Sequence, residues 1–166
     1  MVSKGLKEFN LPPDSFQAVD LEKFSGSWYE VARSPNVFER GCDYSVAEYT
    51  IVKRDNDIVG YDVMNTCYSN GTPSRSIKGV AKVSMLPYAF CVSFPPVSFS
   101  IIPNYIVAWV SSSINQKYQR AVILSPLGNV WFLSRSKQIS DGEYEEMLAY
   151  VPFSFLRARI HRNTII

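Results

Sequence analysis

The chain has 166 residues, of which 46% are hydrophobic, 14% aromatic and 19% charged, with a net charge of +2; this is enough for one domain that buries about two thirds of its unfolded surface without a metal. So weak a charge argues neither for a nucleic-acid binder nor for an acidic tail. No apolar run of about 18 residues is present to span a membrane as a helix, and ten Tyr, ten Phe and three Trp favour strands over helices.

The first ten residues, MVSKGLKEFN, hold two lysines and no apolar core, so they do not read as a signal peptide. That leaves an intracellular protein, or a mature form whose leader has been replaced. Residues 1–19 read as an arm stiffened by Pro12-Pro13, with Leu6, Phe9, Leu11 and Phe16 available to lie on a surface. The stretch VDLEKFSG then predicts one helical turn, capped by Asp20 and stopped by Gly26.

From Gly26 onward, short period-two segments alternate with turn signals. Strands are predicted at about 26–33, 43–53, 58–67, 75–86, 89–95, 104–111, 117–125 and 129–136. Asn70-Gly71 suits a tight hairpin, because both central positions of such a turn need positive φ. Asn70-Gly71-Thr72 also matches a glycosylation acceptor, a triplet common by chance, and the turn reading is favoured. SDGEYEEMLAYV predicts the one convincing helix, capped by Ser140 or Asp141, with Glu143, Glu145 and Glu146 complementing its N-terminal dipole. A ninth strand is expected near 155–162. It would present Arg157, Arg159, His161 and Arg162 on a solvated edge.

Alternation assigns the faces. Tyr49, Tyr61, Val63, Ile77 and Val83 fall on the apolar side of their strands, opposite residues such as Glu48, Asp62, Lys78 and Lys82. Eight antiparallel strands with one apolar face suggest a sheet closed on itself, with room for packed side chains or one small ligand. The same parity nominates Tyr105, Val107, Trp109, Val122 and Trp131 as inward-facing. It also nominates Glu30, two residues after Trp28. A carboxylate inside an apolar cup must be paired, hydrogen-bonded or protonated, and Arg120, on the parity of Tyr118 and Val122, is the expected partner. Together the two would meet the polar head of a lipid, or else form a satisfied internal network.

A helical turn, then Gly26-x-Trp28 opening the first of eight strands, then a helix after the eighth, resembles the lipocalins. SGSWYEVARSPNVFERG and WFLSRSKQISDGEYEEML make the likeness closer, to the branch of bacterial lipocalin, apolipoprotein D and plant temperature-induced lipocalin, from about Val19 to Tyr150. The resemblance implies an all-β fold: an eight-stranded antiparallel up-and-down barrel over residues 20–166, with one C-terminal helix and a short ninth strand. It implies that Arg135 stacks on Trp28 at the closed end, beside Gly26 and Tyr118, and that Ser34–Gly41 lies across the mouth. Two features depart from the family. Asn115 and Gln116 stand where it usually has an acidic residue before the tyrosine, and the 94–105 loop is unusually apolar.

Some relatives carry cysteines at the places of Cys42 and Cys67, so the resemblance implies a disulfide there, and with it an oxidising, exported compartment. Cys91 is left over as a buried free thiol. One lipocalin, a prostaglandin-isomerising synthase, uses a barrel thiol as nucleophile. A reactive thiolate needs a cationic neighbour, and Cys91 sits among Ala89, Phe90, Val92 and Phe94. No paired carboxylates, metal-ligand spacing or phosphate loop occur, so the reading is not an enzyme and requires no metal or cofactor.

The function expected is binding and transport or storage of a small hydrophobic ligand, such as a fatty acid or lysophospholipid. A pigment or porphyrin is the other ligand class. The competing reading is an interaction module with a filled barrel, whose 94–105 loop and tail Thr164-Ile165-Ile166 would contact a membrane periphery or make a homo-oligomer.

Overall fold

In the computed structural model, residues 16–36, 39–96, 98–152 and 154–165 are described. The predicted arm over residues 1–15, and Ile166, lie outside them. Asp20 caps α1 (Leu21–Phe24) by accepting the Glu22 and Lys23 amides, as its side-chain chemistry anticipates. The strands follow as β1 (Gly26–Arg33), β2 (Tyr44–Arg54), β3 (Asp57–Ser69), β4 (Thr72–Val83), β5 (Ala89–Ser93) and β6 (Tyr105–Val110). The short hairpin β7 (Ser113–Ile114) and β8 (Lys117–Tyr118) precedes β9 (Arg120–Leu124) and β10 (Val130–Ser134). Then come α2 (Asp141–Leu148), α3 (Ser154–Ala158) and β11 (His161–Arg162).

The sheet order β10-β9-β6-β5-β4-β3-β2-β1 closes by pairing β10 with β1, which makes an eight-stranded antiparallel barrel. β11 is an added strand. β2 pairs with β1 only over Gly26–Tyr29, and β11 takes the vacated upper edge at Ala32–Arg33. The predicted strand near 155–162 is therefore corrected: Arg157 lies in helix α3, and only His161–Arg162 is extended.

Because successive strands reverse direction, the connections β1–β2, β3–β4, β5–β6 and β9–β10 share one end, the mouth. α1 and the β7–β8 hairpin are at the other. Asn70 and Gly71 take φ of 52° and 75° in the β3–β4 turn, the left-handed pair that the hairpin demands. Helix α2 starts on a reciprocal capping box between Ser140 and Glu143 and packs outside the barrel. There Tyr144 meets Phe132, with centroids 5.6 Å apart, while Tyr150, just past the helix, stacks on Trp109 at 4.8 Å. β9 is consequently buried on both faces: Ala121, Val122, Ile123 and Leu124 are all fully buried.

Candidate functional site

The closed end is assembled from short-range pieces. Gly26 enters β1 at φ 97°, where a side chain would be strained and would crowd the Arg135 guanidinium. Trp28 donates its indole N–H to the Phe24 carbonyl at 2.8 Å. Arg135 covers that indole, with Cζ 3.7 Å from the ring centroid. It also donates to the carbonyls of Lys23, Ser25, Ser27 and Tyr118 at 2.7–3.0 Å, so it caps the last turn of α1. Burial lowers its pKa to about 10, still well above neutral. The Tyr118 hydroxyl accepts the Asp20 amide at 3.0 Å. Trp28, Arg135 and Tyr118 thus pack together at this end of the barrel.

α1 inserts Phe24 into the barrel, where it contacts Trp28 and Tyr49 at 5.3 Å each, and Tyr61 and Phe90 a little further off. Tyr49 and Tyr105 close this aromatic floor with a hydroxyl–hydroxyl bond of 2.8 Å. Burial, reinforced by the nearby Glu30 and Glu39 carboxylates, pushes the Tyr49 phenol up to about 12 against the opposing bond from Tyr105. Val63 and Val107 complete the buried wall.

Further along β1 toward the mouth sits a buried charged cluster. Arg33 donates to Glu30 at 3.1 Å and lies 3.7 Å from Glu39. Asn163 donates to Glu30 at 2.9 Å, and the Trp131 indole donates to Glu39 at 3.1 Å. A bulge between Glu30 and Ala32 makes this possible, because the register of β1 against β10 skips there. The skip returns Arg33 to the inner face, although it stands an odd three positions after Glu30. Two carboxylates facing one guanidinium leave the buried cluster with an excess of negative charge. Burial, then the hydrogen bond and charge of Glu39, push Glu30 well above the ordinary carboxylate range. Burial would also raise Glu39, but donation from Glu30 and Asn36 and the positive charge of Arg33 outweigh it and hold Glu39 low. The buried Arg33 Nε, Asn163 Oδ1 and Asn65 Oδ1 find no partner among the described residues.

Glu39 belongs to the first loop, which the Cys42–Cys67 disulfide ties to the end of β3. Arg33 and Glu39 also line a cleft of about 370 Å³ between that loop and His161 of β11, so the cluster is approached from the mouth. Cys91, the free thiol, is half-buried on β5. Burial pushes its pKa up, partly offset by Lys82.

Several predicted positions are corrected. Arg120 is not the partner of Glu30: it lies outside the barrel, where it donates to Glu146 of α2 at 3.1 Å and sits 5.3 Å from the Trp109 ring. Trp109 and Val122, paired across β6 and β9, face α2 rather than the cup; for Trp109 the cause is a bulge between Val107 and Trp109, which reverses the parity of β6. Ile77 and Val83 keep the inward parity of Ala81, yet each is 40% exposed. Val83 ends β4 and Ile77 lies midway along it, and neither belongs to a sealed lining. Arg33, Glu39, Asn163 and Phe24 were missed by the sequence reading. Only Phe24 had a local signal, its place on the capped turn before Gly-x-Trp. No group of three or more His, Cys, Asp or Glu residues among those described is placed to hold a metal ion.

A closed eight-stranded barrel with a plugged end, an aromatic floor and a disulfide-tethered loop at the mouth is the architecture of a small-ligand cup. The comparisons agree. The model of the Lipocalin-like domain family matches residues 19–152, and the chain belongs to that family. It is 30% identical to the outer membrane lipoprotein Blc of Citrobacter freundii over 83% of this chain and 76% of the relative. It is also 30% identical to temperature-induced lipocalin-1 of Arabidopsis thaliana, over 80% and 71%. The solved structure of insecticyanin from the tobacco hornworm Manduca sexta superposes with a TM-score of 0.62 at 22% identity, covering 91% of this chain and 83% of that one. The lipocalin fold binds small hydrophobic ligands, and its members are in general binding and transport proteins rather than enzymes. The disulfide fits an oxidising, exported compartment.

Proposed function

We propose that the protein binds a fatty acid or lysophospholipid in the cup for transport or storage, in an exported compartment. The observation that carries this reading is the pairing of an aromatic floor with a buried polar cluster that has binding capacity to spare. Tyr49, Tyr61, Val63, Tyr105 and Val107 offer apolar contact, worth about 0.8 kcal/mol for each methylene removed from water. Beside them, Arg33 Nε and Asn163 Oδ1 are buried without partners among the described residues. An unmatched buried polar group costs roughly 1–3 kcal/mol, so a ligand head that satisfies one is favoured by that amount. Trp131, Glu30 and Glu39 would position the head, and Ile77, midway along β4, would border the chain. That one relative is named an outer membrane lipoprotein supports the exported setting.

Native mass spectrometry of the purified protein, followed by organic extraction, tests the reading. A fatty acid or phospholipid recovered at near-stoichiometric amount is the expected result. A bare mass, with no thermal shift from a panel of fatty acids and lysophospholipids, overturns it in favour of a barrel filled by its own aromatics.

A further inference from the structure

Two side chains of the buried cluster converge on one oxygen. Arg33 and Asn163 both donate to Glu30 Oε1, at 3.1 and 2.9 Å. The Asn163 amide nitrogen also donates to the Glu30 carbonyl at 2.9 Å, and these two acceptors fix which way the amide points. Its Oδ1 is left as a buried acceptor with no donor among the described residues. Arg33, whose side chain is 9% exposed, has the opposite lack: its Nε is a buried donor with no acceptor among them. Asn65 Oδ1 on β3, on the inner parity of Val63 and Cys67, is a second buried acceptor without a partner. Unmatched acceptors thus outnumber unmatched donors, and a fitting ligand head must donate.

Charge narrows the choice further. Glu30 of β1 and Glu39 of the first loop face the single guanidinium of Arg33, while Trp131 of β10 and Asn163 beyond β11 add only neutral donors. An ionised carboxylate head would bring a third anion to this place, and it accepts hydrogen bonds but donates none. An ammonium head donates but cannot accept, and would set a second cation beside Arg33 with Nε still unmatched. A hydroxyl carries one donor and two lone pairs. It serves either atom, donating to Asn163 Oδ1 or accepting from Arg33 Nε, and adds no charge.

We propose that the cup selects lipids whose polar end is an uncharged hydroxyl, with Asn163 and Arg33 as the residues that distinguish it. This rests on the cup being a lipid site and narrows what that site takes. A fatty acid qualifies as its neutral acid, whose O–H donates, and a lysophospholipid qualifies through its glycerol hydroxyl. The selection depends on β11 lying along the edge of β1, since that pairing carries Asn163 to Glu30.

Titration of the full chain's tryptophan fluorescence at pH 8 with 1-dodecanol, its methyl ether, dodecanoate and dodecylamine tests it. The alcohol should bind tightest, and each of the other three at least about tenfold more weakly, the effect of one buried polar group left unmatched. Asn163→Leu should shrink the preference for alcohol over ether to about threefold or less, and a preference that persists in the folded variant overturns the role of Asn163. That substitution also releases Glu30, so circular dichroism checks its fold; the comparison of the four probes on the wild type holds whether or not the variant folds. An ether or a dodecanoate that binds as tightly as the alcohol overturns the hydroxyl selection and leaves the lipid reading standing. So does a tighter dodecylamine, which would assign the cluster to a cationic head. Failure of all four to bind overturns the lipid reading, and the selection with it.

Discussion

The Arg135 guanidinium lies flat over the Trp28 indole, 3.7 Å from its centroid, and holds carbonyls at the end of α1. The contact joins the last barrel strand to the first and locks the plug helix under both. Replacing Arg135 by Ala removes the cation–π contact and strands several partly buried carbonyls. We expect a loss of about 3 kcal/mol in urea unfolding. Arg135→Lys should recover less than half of it, because an ammonium lacks the planar five-donor fork. Full recovery by lysine would show that charge alone matters.

Glu30 gives the fold a pH dependence of definite sign. Its native pKa is raised above the unfolded value of 4.5, chiefly by burial and then by Glu39. The native state therefore binds a proton that the unfolded state releases. The stability contributed by Glu30 is full below about pH 4.5 and declines as pH rises toward the native pKa. Urea midpoints measured from pH 4.5 to 8 should fall less steeply in Glu30→Gln than in the wild type. Glu39, held low, acts in the opposite window: its contribution is lost as pH drops below 4.5. Parallel curves for wild type and Glu30→Gln would show that the native fold does not raise Glu30.

The Cys42–Cys67 bond spans 25 residues. Cys42→Ser with Cys67→Ser should cost about 3 kcal/mol from the unfolded chain's added freedom. Thiol titration in denaturant should find one group per chain before reduction and three after it. Three at the outset would remove the tether from the first loop.

Trp109 and Arg120 lie under α2, outside the cup. Trp109→Ala should destabilise by roughly 3 kcal/mol as packing against Tyr150 is lost. The lipid recovered from the folded variant should be unchanged. A parallel drop in bound lipid would return Trp109 to the lining.

The floor bond between Tyr49 and Tyr105 predicts non-additivity. Tyr49→Phe alone should cost about 1–2 kcal/mol by leaving the Tyr105 hydroxyl buried and unmatched. The double change to Phe should cost less than the two single changes summed. Strict additivity in a urea double-mutant cycle would show that the hydroxyls do not interact.

What the sequence determined by itself was whatever local chemistry controls. Asp20 and Ser140 caps, Asn70-Gly71 and two-residue alternation depend on neighbours a few positions away, and they placed α1 and α2, the turn and the strands of β2 and β3. Gly26-x-Trp28 and the segment around Arg135 were legible because they match a known pattern. What only the tertiary structure decided were the facts of parity and distance. One extra residue at Val31 brings Arg33 to the same face as Glu30, and a second at Ala108 sends Trp109 out of the cup. Alternation cannot register a bulge, since the inserted residue looks like any other. Nor can it assign a strand such as β9, buried on both faces once α2 covers it, because burial then no longer distinguishes inside from outside. Asn163 reaches Glu30 from 133 residues away, a contact that exists only after the barrel has closed and β11 has taken the free edge of β1.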